Sequence, residues 1–166
     1  MGFEVRPVRR AEYAALGELT VAAYRALRSD WDMGDYADEL ADVASRAAAA
    51  DVLVAVDGDE LLGGVTYVPG AENAYAEDLR DGEAGIRMLA VAPVAQGRGA
   101  GRALTVACIE RAVAEGKSGV ALHSTAFMTA AHRLYESLGF VRTPARDLTF
   151  PDVVILSFVL DLRAPQ

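Results

Sequence analysis

The sequence contains one cysteine, Cys108, and one lysine, Lys117, among its 166 residues. A single cysteine excludes an internal disulfide, and Cys108 with His123 and His132 forms no metal-ligand pattern. No apolar run reaches the roughly 20 residues of a membrane-spanning helix, and the first residues lack the apolar stretch of a signal peptide. We therefore expect a soluble cytoplasmic protein without a metal site and without a membrane partner.

Acidic side chains outnumber basic ones, and this excess of negative charge is distributed unevenly along the chain. The net charge of −8 argues against a nucleic-acid partner. Residues 1–82 carry 17 acidic and 7 basic side chains, a net of −10, whereas residues 83–166 carry 7 acidic and 9 basic, a net of +2. The second half therefore suits a polyanionic ligand, and the first half favours a cationic partner such as an amine. A solvated acidic surface is the alternative.

The length and the 52% apolar content suit a single domain over residues 1–166 with one core. Hydrophobic periodicity and turn signals predict the order strand, two helices, three strands, helix, strand, helix, two strands. The predicted strands are residues 3–8, 52–56, 61–68, 84–91, 120–123, 140–142 and 153–162, and the predicted helices are 11–27, 36–50, 101–115 and 129–138. This order indicates an α/β protein with a mixed sheet covered by helices.

A glycine-rich loop over residues 96–101 follows an apolar strand and opens a helix. Gly97, Gly99 and Gly101 alternate, so the backbone can bend tightly and a ligand can approach it closely. The N–H groups of such a loop and of the following helix end form an anion site, most naturally for a phosphate or pyrophosphate. Arg102 and Ala103 stand where a P-loop needs Lys and Ser or Thr, and the glycine spacing does not fit a dinucleotide fingerprint.

Two motifs together resemble the GNAT superfamily of N-acetyltransferases. One is Leu89-Ala90-Val91-x-Pro93 followed by Gln96-x-x-Gly99-x-Gly101, and the other is Leu134-Tyr135-Glu136-x-Leu138-Gly139-Phe140. The resemblance implies the GNAT fold, a mixed, mostly antiparallel sheet of about seven strands flanked by helices. It also implies that the two central strands splay apart around the pantetheine arm of acetyl-coenzyme A (acetyl-CoA).

The implied reaction is direct attack of a primary amine, on a small molecule or peptide, on the thioester of acetyl-CoA. The implied cofactor-binding residues are Leu89, Ala90, Val91, Gln96, Gly97, Arg98, Gly99, Ala100, Gly101, Arg102 and Thr125. Met128 stands where relatives often have an Asn that holds the cofactor, and Thr125 or Thr129 is expected to replace that contact. A non-catalytic acyl-CoA-binding regulatory module on the same fold is the alternative function.

The resemblance implies that Tyr135 is the acid that protonates the departing thiolate. Many relatives carry a catalytic Glu inside the strand before the loop, but this position is Gly85. We therefore predict that Glu83, two residues earlier, is the base, acting through a water. On a regular strand it shares a face with Gly85, Arg87 and Leu89, and a bulge would change that parity.

The resemblance places specificity in the first two helices. Tyr24, Trp31 and Tyr36 are therefore predicted to form an aromatic substrate pocket, with Asp30, Asp32 and Asp35 favouring a cationic amine. Aromatic packing in the core or at a homodimer contact is equally compatible with these positions. For His123, which ends an apolar strand near the gap, we consider a catalytic or substrate role beside a structural one. His132 is expected on a helix exterior.

Overall fold

The structure, a computed structural model, describes residues 2–28, 30 and 32–163. Its strands are β1 (Glu4–Pro7), β2 (Asp51–Asp57), β3 (Glu60–Val68), β4 (Glu83–Val91), β5 (Gly119–Thr125), β6 (Val141–Arg142), β7 (Leu148–Thr149) and β8 (Val154–Asp161). Its helices are α1 (Tyr13–Leu27), α2 (Tyr36–Ala41), α3 (Val43–Ala49), α4 (Ala100–Ala114) and α5 (Thr129–Ser137). Within the described ranges, no helix is long and apolar enough to cross a membrane.

All eight strands form one sheet with the order β1-β2-β3-β4-β5-β8-β6, and β7 pairs with β8. Only β4 and β5 run parallel, and every other pair is antiparallel. The predicted mixed, mostly antiparallel sheet is therefore confirmed. The sequence gives no strand signal for β7, because two residues are too few for a visible alternation.

The two central strands diverge, as expected. The pairing of β4 with β5 ends at Ile86 and Leu122, although β4 continues to Val91 and β5 to Thr125. Because β4 pairs with β3 on its other side up to Val91, its free edge beyond Ile86 faces the gap. The N–H and C=O groups on this edge are available to a molecule bound there.

A β-bulge lies just before the end of β4. The register between β3 and β4 shifts between Gly64 and Thr66, and Met88 has a φ of +57°. One extra residue in β4 therefore changes the alternation of its side chains. Met88 packs in a cluster with residues of α1, whereas Leu89 packs against the cluster that contains α4. The predicted common face of Glu83 and Leu89, which assumed a regular strand, is wrong.

The second predicted helix is interrupted at Asp42. The ψ of Asp42 is 71°, outside the helical range, and its carboxylate accepts the N–H of Ser45 at 3.1 Å, which caps α3. Arg46 is only 2% exposed and donates to the carbonyl oxygens of Glu39, at 2.6 Å, and Leu40, at 3.0 Å. This buried arginine binds carbonyl groups at the end of α2.

Candidate active site

Two adjoining cavities occupy the gap between β4 and β5 and share Tyr24 and Met128. The first, about 450 Å³, is called the cleft and is lined by α1, the end of β4, the glycine loop and the start of α5. The second, about 360 Å³, is called the acceptor cavity. Its lining residues are Tyr24, Met33, Tyr36, Glu39, Glu77, Arg87, His123, Ser124, Thr125, Met128, Phe150, Val153 and Ile155.

The glycine loop presents its backbone to the cleft. Gly97 and Gly99 have φ values of +85° and +90°, which favour glycine, and a Cβ on either would meet no protein atom within 4 Å. Among the described residues, no N–H group of residues 96–99 donates a hydrogen bond. Gly99 is also the N-cap of α4, whose first N–H groups have no partner within the helix. The loop therefore fits a pyrophosphate.

Nine of the eleven predicted cofactor-binding residues line the cleft. They are Leu89, Ala90, Val91, Gln96, Gly97, Gly99, Ala100, Gly101 and Arg102. The guanidinium of Arg102 remains at the surface, and among the described residues it donates only to Ser137 Oγ, at 3.2 Å. The structure thus brings together the strand edge, the glycine loop and one cation, as the sequence predicts.

Arg98 does not line the cleft. Its Nη2 lies 2.7 Å from Asp57 Oδ2 and its Nη1 lies 3.7 Å from Glu60 Oε1. Both carboxylates flank the turn between β2 and β3. The side chain of Arg98 therefore fastens the glycine loop to this hairpin.

Thr125 lies in the wall of the acceptor cavity and not of the cleft. It is 8% exposed, and its Oγ1 is buried without a hydrogen-bond partner among the described residues. The neighbouring Met128 Sδ accepts a hydrogen bond from Ser124 Oγ at 3.3 Å. A buried hydroxyl without a partner is energetically unfavourable, so Thr125 is suited to contact a bound molecule.

Tyr135 lies on α5 beside Leu134, which lines the cleft, but Tyr135 itself lines neither cavity. It is 5% exposed, and its ring centre is 5.7 Å from that of Phe140 and 5.9 Å from that of Phe158. Burial raises the pKa of the Tyr135 phenol. Burial and then the neighbouring phenols, Tyr135 among them, raise the pKa of Tyr24 as well. Both phenols are therefore protonated at neutral pH.

Glu83 also lines neither cavity. Its two carboxylate oxygens accept hydrogen bonds from Arg146 Nη1, at 2.9 Å, and Nη2, at 2.8 Å. Oε1 also accepts the N–H of Arg80, at 2.9 Å. Burial raises the pKa of Glu83, but the hydrogen bonds from Arg146 and Arg80 outweigh it and hold the pKa below its usual value. Glu83 occupies a structural ion pair.

The space beside Gly85, where many relatives carry their Glu, is filled by an apolar side chain. A Cβ on Gly85 would lie 3.1 Å from Leu79 Cδ1 and 3.5 Å from Val68 Cβ. The loop between β3 and β4, which carries Leu79, thus closes this part of the sheet face. A carboxylate there would displace the side chain of Leu79.

Tyr24 and Tyr36 lie together in the wall of the acceptor cavity, with ring centres 6.1 Å apart in an edge-to-face arrangement. Trp31, the third predicted substrate residue, lies outside the described residues. The predicted carboxylates do not line the cavity. Asp30 instead pairs with Arg28, and Asp32 accepts the N–H of Gly34.

Two other carboxylates line this cavity, and the sequence analysis did not single them out. Glu39 Oε2 lies 3.7 Å from Arg87 Nη1, and Glu77 Oε1 lies 3.9 Å from Arg87 Nε. Burial lowers the pKa of Arg87, but Coulombic attraction to its neighbours, Glu77 and Glu39 among them, outweighs burial and raises the pKa. With one cation and two anions, these three side chains carry a net charge of −1. This part of the cavity therefore favours a cation.

The two histidines are both held by backbone carbonyl groups. His123 Nε2 lies 3.1 Å from the oxygen of Arg146, and the side chain is 1% exposed in the wall of the acceptor cavity. His132 Nε2 lies 2.9 Å from the oxygen of Thr125, and its ring centre is 5.2 Å from that of Phe158. The prediction that His132 faces the exterior is therefore wrong. Within the described ranges, no cluster of His, Cys, Asp and Glu could hold a metal ion.

Known proteins share both sequence and fold with this chain. A mycothiol acetyltransferase from Renibacterium salmoninarum is 37% identical over 102 residues, which are 58% of this chain and 28% of that relative. The aligned region thus spans little more than a quarter of the relative's length.

Solved structures show the same fold. One is yncA from Salmonella typhimurium with its cofactor acetyl-CoA, at 23% identity and a TM-score of 0.70, covering 100% of this chain and 99% of the other. A second is an acetyltransferase of the GNAT family from Staphylococcus aureus Mu50, at 14% identity and a TM-score of 0.77, covering 98% and 100%. Residues 13–140 match the sequence profile of the Acetyltransferase (GNAT) family, so the chain belongs to that family.

Proposed function

We propose that this protein transfers the acetyl group of acetyl-CoA to a primary amine. The proposal rests on the gap between β4 and β5. This gap joins the cleft, whose glycine loop fits an anion, to the acceptor cavity, whose charged side chains carry a net negative charge. A donor in the cleft and an acceptor in the cavity would meet at Tyr24 and Met128. Similarity to a mycothiol acetyltransferase and to a protein solved with acetyl-CoA supports this assignment.

The residues of the cleft fit acetyl-CoA, whose thioester supplies an activated acyl group when bound. The N–H groups of residues 97–102 would bind the pyrophosphate, and the guanidinium of Arg102 would add a charge-assisted contact. The free edge of Leu89 to Val91 would pair with the pantetheine amides. A backbone N–H on this edge would also stabilise negative charge on the carbonyl oxygen.

Tyr135 is the proposed acid. Its burial keeps the phenol protonated, and a proton donor at the thiolate favours departure of the sulfur. Leu134 and the ring contacts with Phe140 and Phe158 fix the orientation of the side chain. An acid that is held rigidly loses little entropy when it reacts.

The acceptor is proposed to be a cationic amine with an apolar body. Glu39 and Glu77 would attract the ammonium group, and the rings of Tyr24 and Tyr36 could contact it by cation–π interaction. Apolar side chains from the β7–β8 region, among them Phe150 and Ile155, complete the wall and would contact the rest of the molecule.

The direct test is thiol release from acetyl-CoA by the purified protein with a panel of amines. The panel contains 2-phenylethylamine, spermidine, glucosamine, lysine and a short peptide with a free N terminus. We expect release with one amine class and a rise in melting temperature with coenzyme A but not with ATP. Stabilisation by coenzyme A without release from any amine would favour a binding module. No stabilisation would contradict the proposed cofactor site.

A matched pair of variants tests the acceptor cavity. Glu39→Gln removes a carboxylate from the wall, and Glu18→Gln removes an exposed one on α1 that lines neither cavity. We expect Glu39→Gln to raise KM for the cationic amine about fivefold with little change in kcat, and Glu18→Gln to leave both constants unchanged. Equal KM values in the two variants would contradict the assignment of the cavity.

A further inference from the structure

We propose that Nδ1 of His123 accepts the proton that the amine loses on acetylation. The inference rests on the proposed function and names a base for it, since Glu83 is bound to Arg146 outside both cavities. The space beside Gly85 is occupied by Leu79. His123 lies on β5, across the gap from β4, and lines the acceptor cavity.

The hydrogen bond to Arg146 fixes the tautomer of the ring. A carbonyl oxygen can only accept, so His123 Nε2, 3.1 Å from the oxygen of Arg146, carries the hydrogen. In the neutral imidazole the lone pair therefore lies on Nδ1. A histidine in this form can act as a base through Nδ1 without any rearrangement of its Nε2 contact.

The carbonyl that holds His123 is itself held. Arg146 is 7% exposed, and besides its two contacts with Glu83 its Nη2 donates to the carbonyl oxygen of Asp78 at 2.6 Å. Glu83 is thus a positioning residue that acts through Arg146 on His123. By this route a carboxylate outside both cavities would affect the reaction without touching the substrate.

The cavities that His123 lines have room for an amine or a water. Nδ1 lies 4.0 Å from Glu77 Oε1, too far for a direct hydrogen bond, and Glu77 also lines the acceptor cavity. A void of about 10 Å³, the volume that holds a single water, lies between His123, Glu77 and Gly85. Thr125, with its unpartnered Oγ1, lies two residues further along β5 and so on the same face.

The proton balance is simple. The bound ammonium first releases one proton to solvent, which is the net proton of the reaction. The neutral amine nitrogen then forms its bond to the acyl carbon as the carbon–sulfur bond breaks, and the second proton lost from nitrogen passes to Nδ1. The sulfur takes the proton of Tyr135. The imidazolium of His123 then returns its proton to water, and the phenolate regains one from solvent, so the products are an amide and a thiol.

The pH dependence of this step reflects the charged groups around the ring. They are Glu77 and Asp78 from the loop between β3 and β4, Arg87 from β4, and Arg146 and Asp147 from the segment after β6. Asp147 is already bound to Arg142, at 2.7 Å. We expect kcat/KM to fall on acidification as Nδ1 becomes protonated. This acidic limb of the pH profile should disappear when the imidazole is replaced.

The first test is a nitrogen-15 NMR spectrum of the imidazole groups in the uncomplexed protein. Only two histidines occur in the sequence, so His132→Gln assigns both sets of signals. We expect His123 to be neutral and protonated on Nε2 at pH 8. Protonation on Nδ1 at that pH would overturn the proposal whatever the activity.

The second test uses two substitutions of the same histidine. His123→Gln keeps a donor for the carbonyl of Arg146 and removes the base, whereas His123→Asn removes the donor. We expect His123→Gln to lower kcat/KM for 2-phenylethylamine, or for the best amine of the panel, about 100-fold while coenzyme A still raises the melting temperature. The loss should be smaller for 2,2-difluoro-2-phenylethylamine, whose amino group is less basic, and His132→Gln should stay within threefold of the original protein.

The outcomes separate the two proposals. If the original protein acetylates no amine of the panel, the proposed function fails and the role of His123 fails with it. If it acetylates an amine and His123→Gln retains the original kcat/KM and acidic limb, only the role of His123 is overturned. An equal loss for the basic and the fluorinated amine would also overturn it, since a structural defect would not distinguish them.

Discussion

Arg146 donates one hydrogen bond to each carboxylate oxygen of Glu83, at 2.9 and 2.8 Å, although the two residues are 63 positions apart in the chain. Glu83 is 9% exposed and Arg146 is 7% exposed. A buried pair of this kind adds little net stability over an apolar pair, but removing one charge leaves the other buried and unpaired. Removing one partner should therefore lower the stability of the protein by more than the intact pair contributes to it.

The first prediction is that Glu83→Gln lowers the free energy of unfolding by about 3 kcal/mol at pH 7. The pKa of Glu83 is below its usual value of 4.5, so its contribution is present above that pH and is lost as the pH falls through the folded-state pKa. Urea unfolding at pH 7 and pH 3 should show a smaller difference between variant and original protein at pH 3. Glu18→Gln, at an exposed site, is the control, and a pH-independent difference would contradict the prediction.

The second prediction concerns the glycine loop. Gly99→Val places a branched side chain at a φ of +90° beside the anion cradle, so we expect loss of coenzyme A binding in calorimetry. Gly116→Val is the matched control, because Gly116 has a φ of +74°, an equally open Cβ position and a place at the far end of α4. Both variants should lose about 1–2 kcal/mol of stability. Normal binding by folded Gly99→Val would show that the cofactor site is misplaced.

The third prediction separates the two arginines of the loop. Arg102→Ala removes the guanidinium that lines the cleft, so we expect Kd for coenzyme A to rise about tenfold, with a weaker dependence on salt. Arg98→Ala removes a side chain bound to Asp57, so Kd should change by less than threefold. Calorimetric titrations at two ionic strengths measure both effects. A larger loss in Arg98→Ala would indicate that this side chain leaves Asp57 when the cofactor binds.

The fourth prediction is that Tyr135→Phe lowers kcat at least tenfold with little change in coenzyme A affinity, because it removes one hydroxyl from a side chain that otherwise packs on Phe140 and Phe158. Tyr67→Phe is the control. Tyr67 is also buried, and its hydroxyl donates to Glu115 Oε1 at 2.7 Å, so loss of the hydroxyl should cost about 1 kcal/mol of stability and leave kcat unchanged. An unaltered kcat in Tyr135→Phe would contradict the assignment of Tyr135 as the acid.

Features encoded by neighbouring residues were predictable from the sequence. The glycine loop is one, since the alternation of Gly97 and Gly99 between a strand and a helix determines where the N–H groups point. The resemblance to a family supplied the divergence of β4 and β5. The interruption of the second helix at Asp42 was missed, because alanine-rich helical propensity outweighs a single Asp, and the bond from Arg46 to Glu39 is a tertiary contact.

Side-chain partners that are distant in the chain were not predictable. Arg98 was expected at the phosphate, but its partner Asp57 lies 41 residues earlier. Glu83 was expected at the amine, but no residue near it in the sequence indicates that it pairs with Arg146. Glu77, now in the acceptor cavity, lies in a polar loop without periodicity, so only the folded chain shows which way it faces.

The extra residue in β4 has a consequence for how this protein tolerates changes in length. Arg87 and Met88 face the same side of the sheet, so deleting Met88 would leave a regular strand in which Leu89, Ala90 and Val91 keep their faces and their register with β3. The entry to the glycine loop would keep its direction, and the loss would be limited to the contacts that Met88 makes beside α1. Deleting a residue from the regular part of β4 would instead move its neighbours to the opposite face. Natural loss of a residue from this strand is therefore to be sought at Met88, and other variation in length in the surface loops.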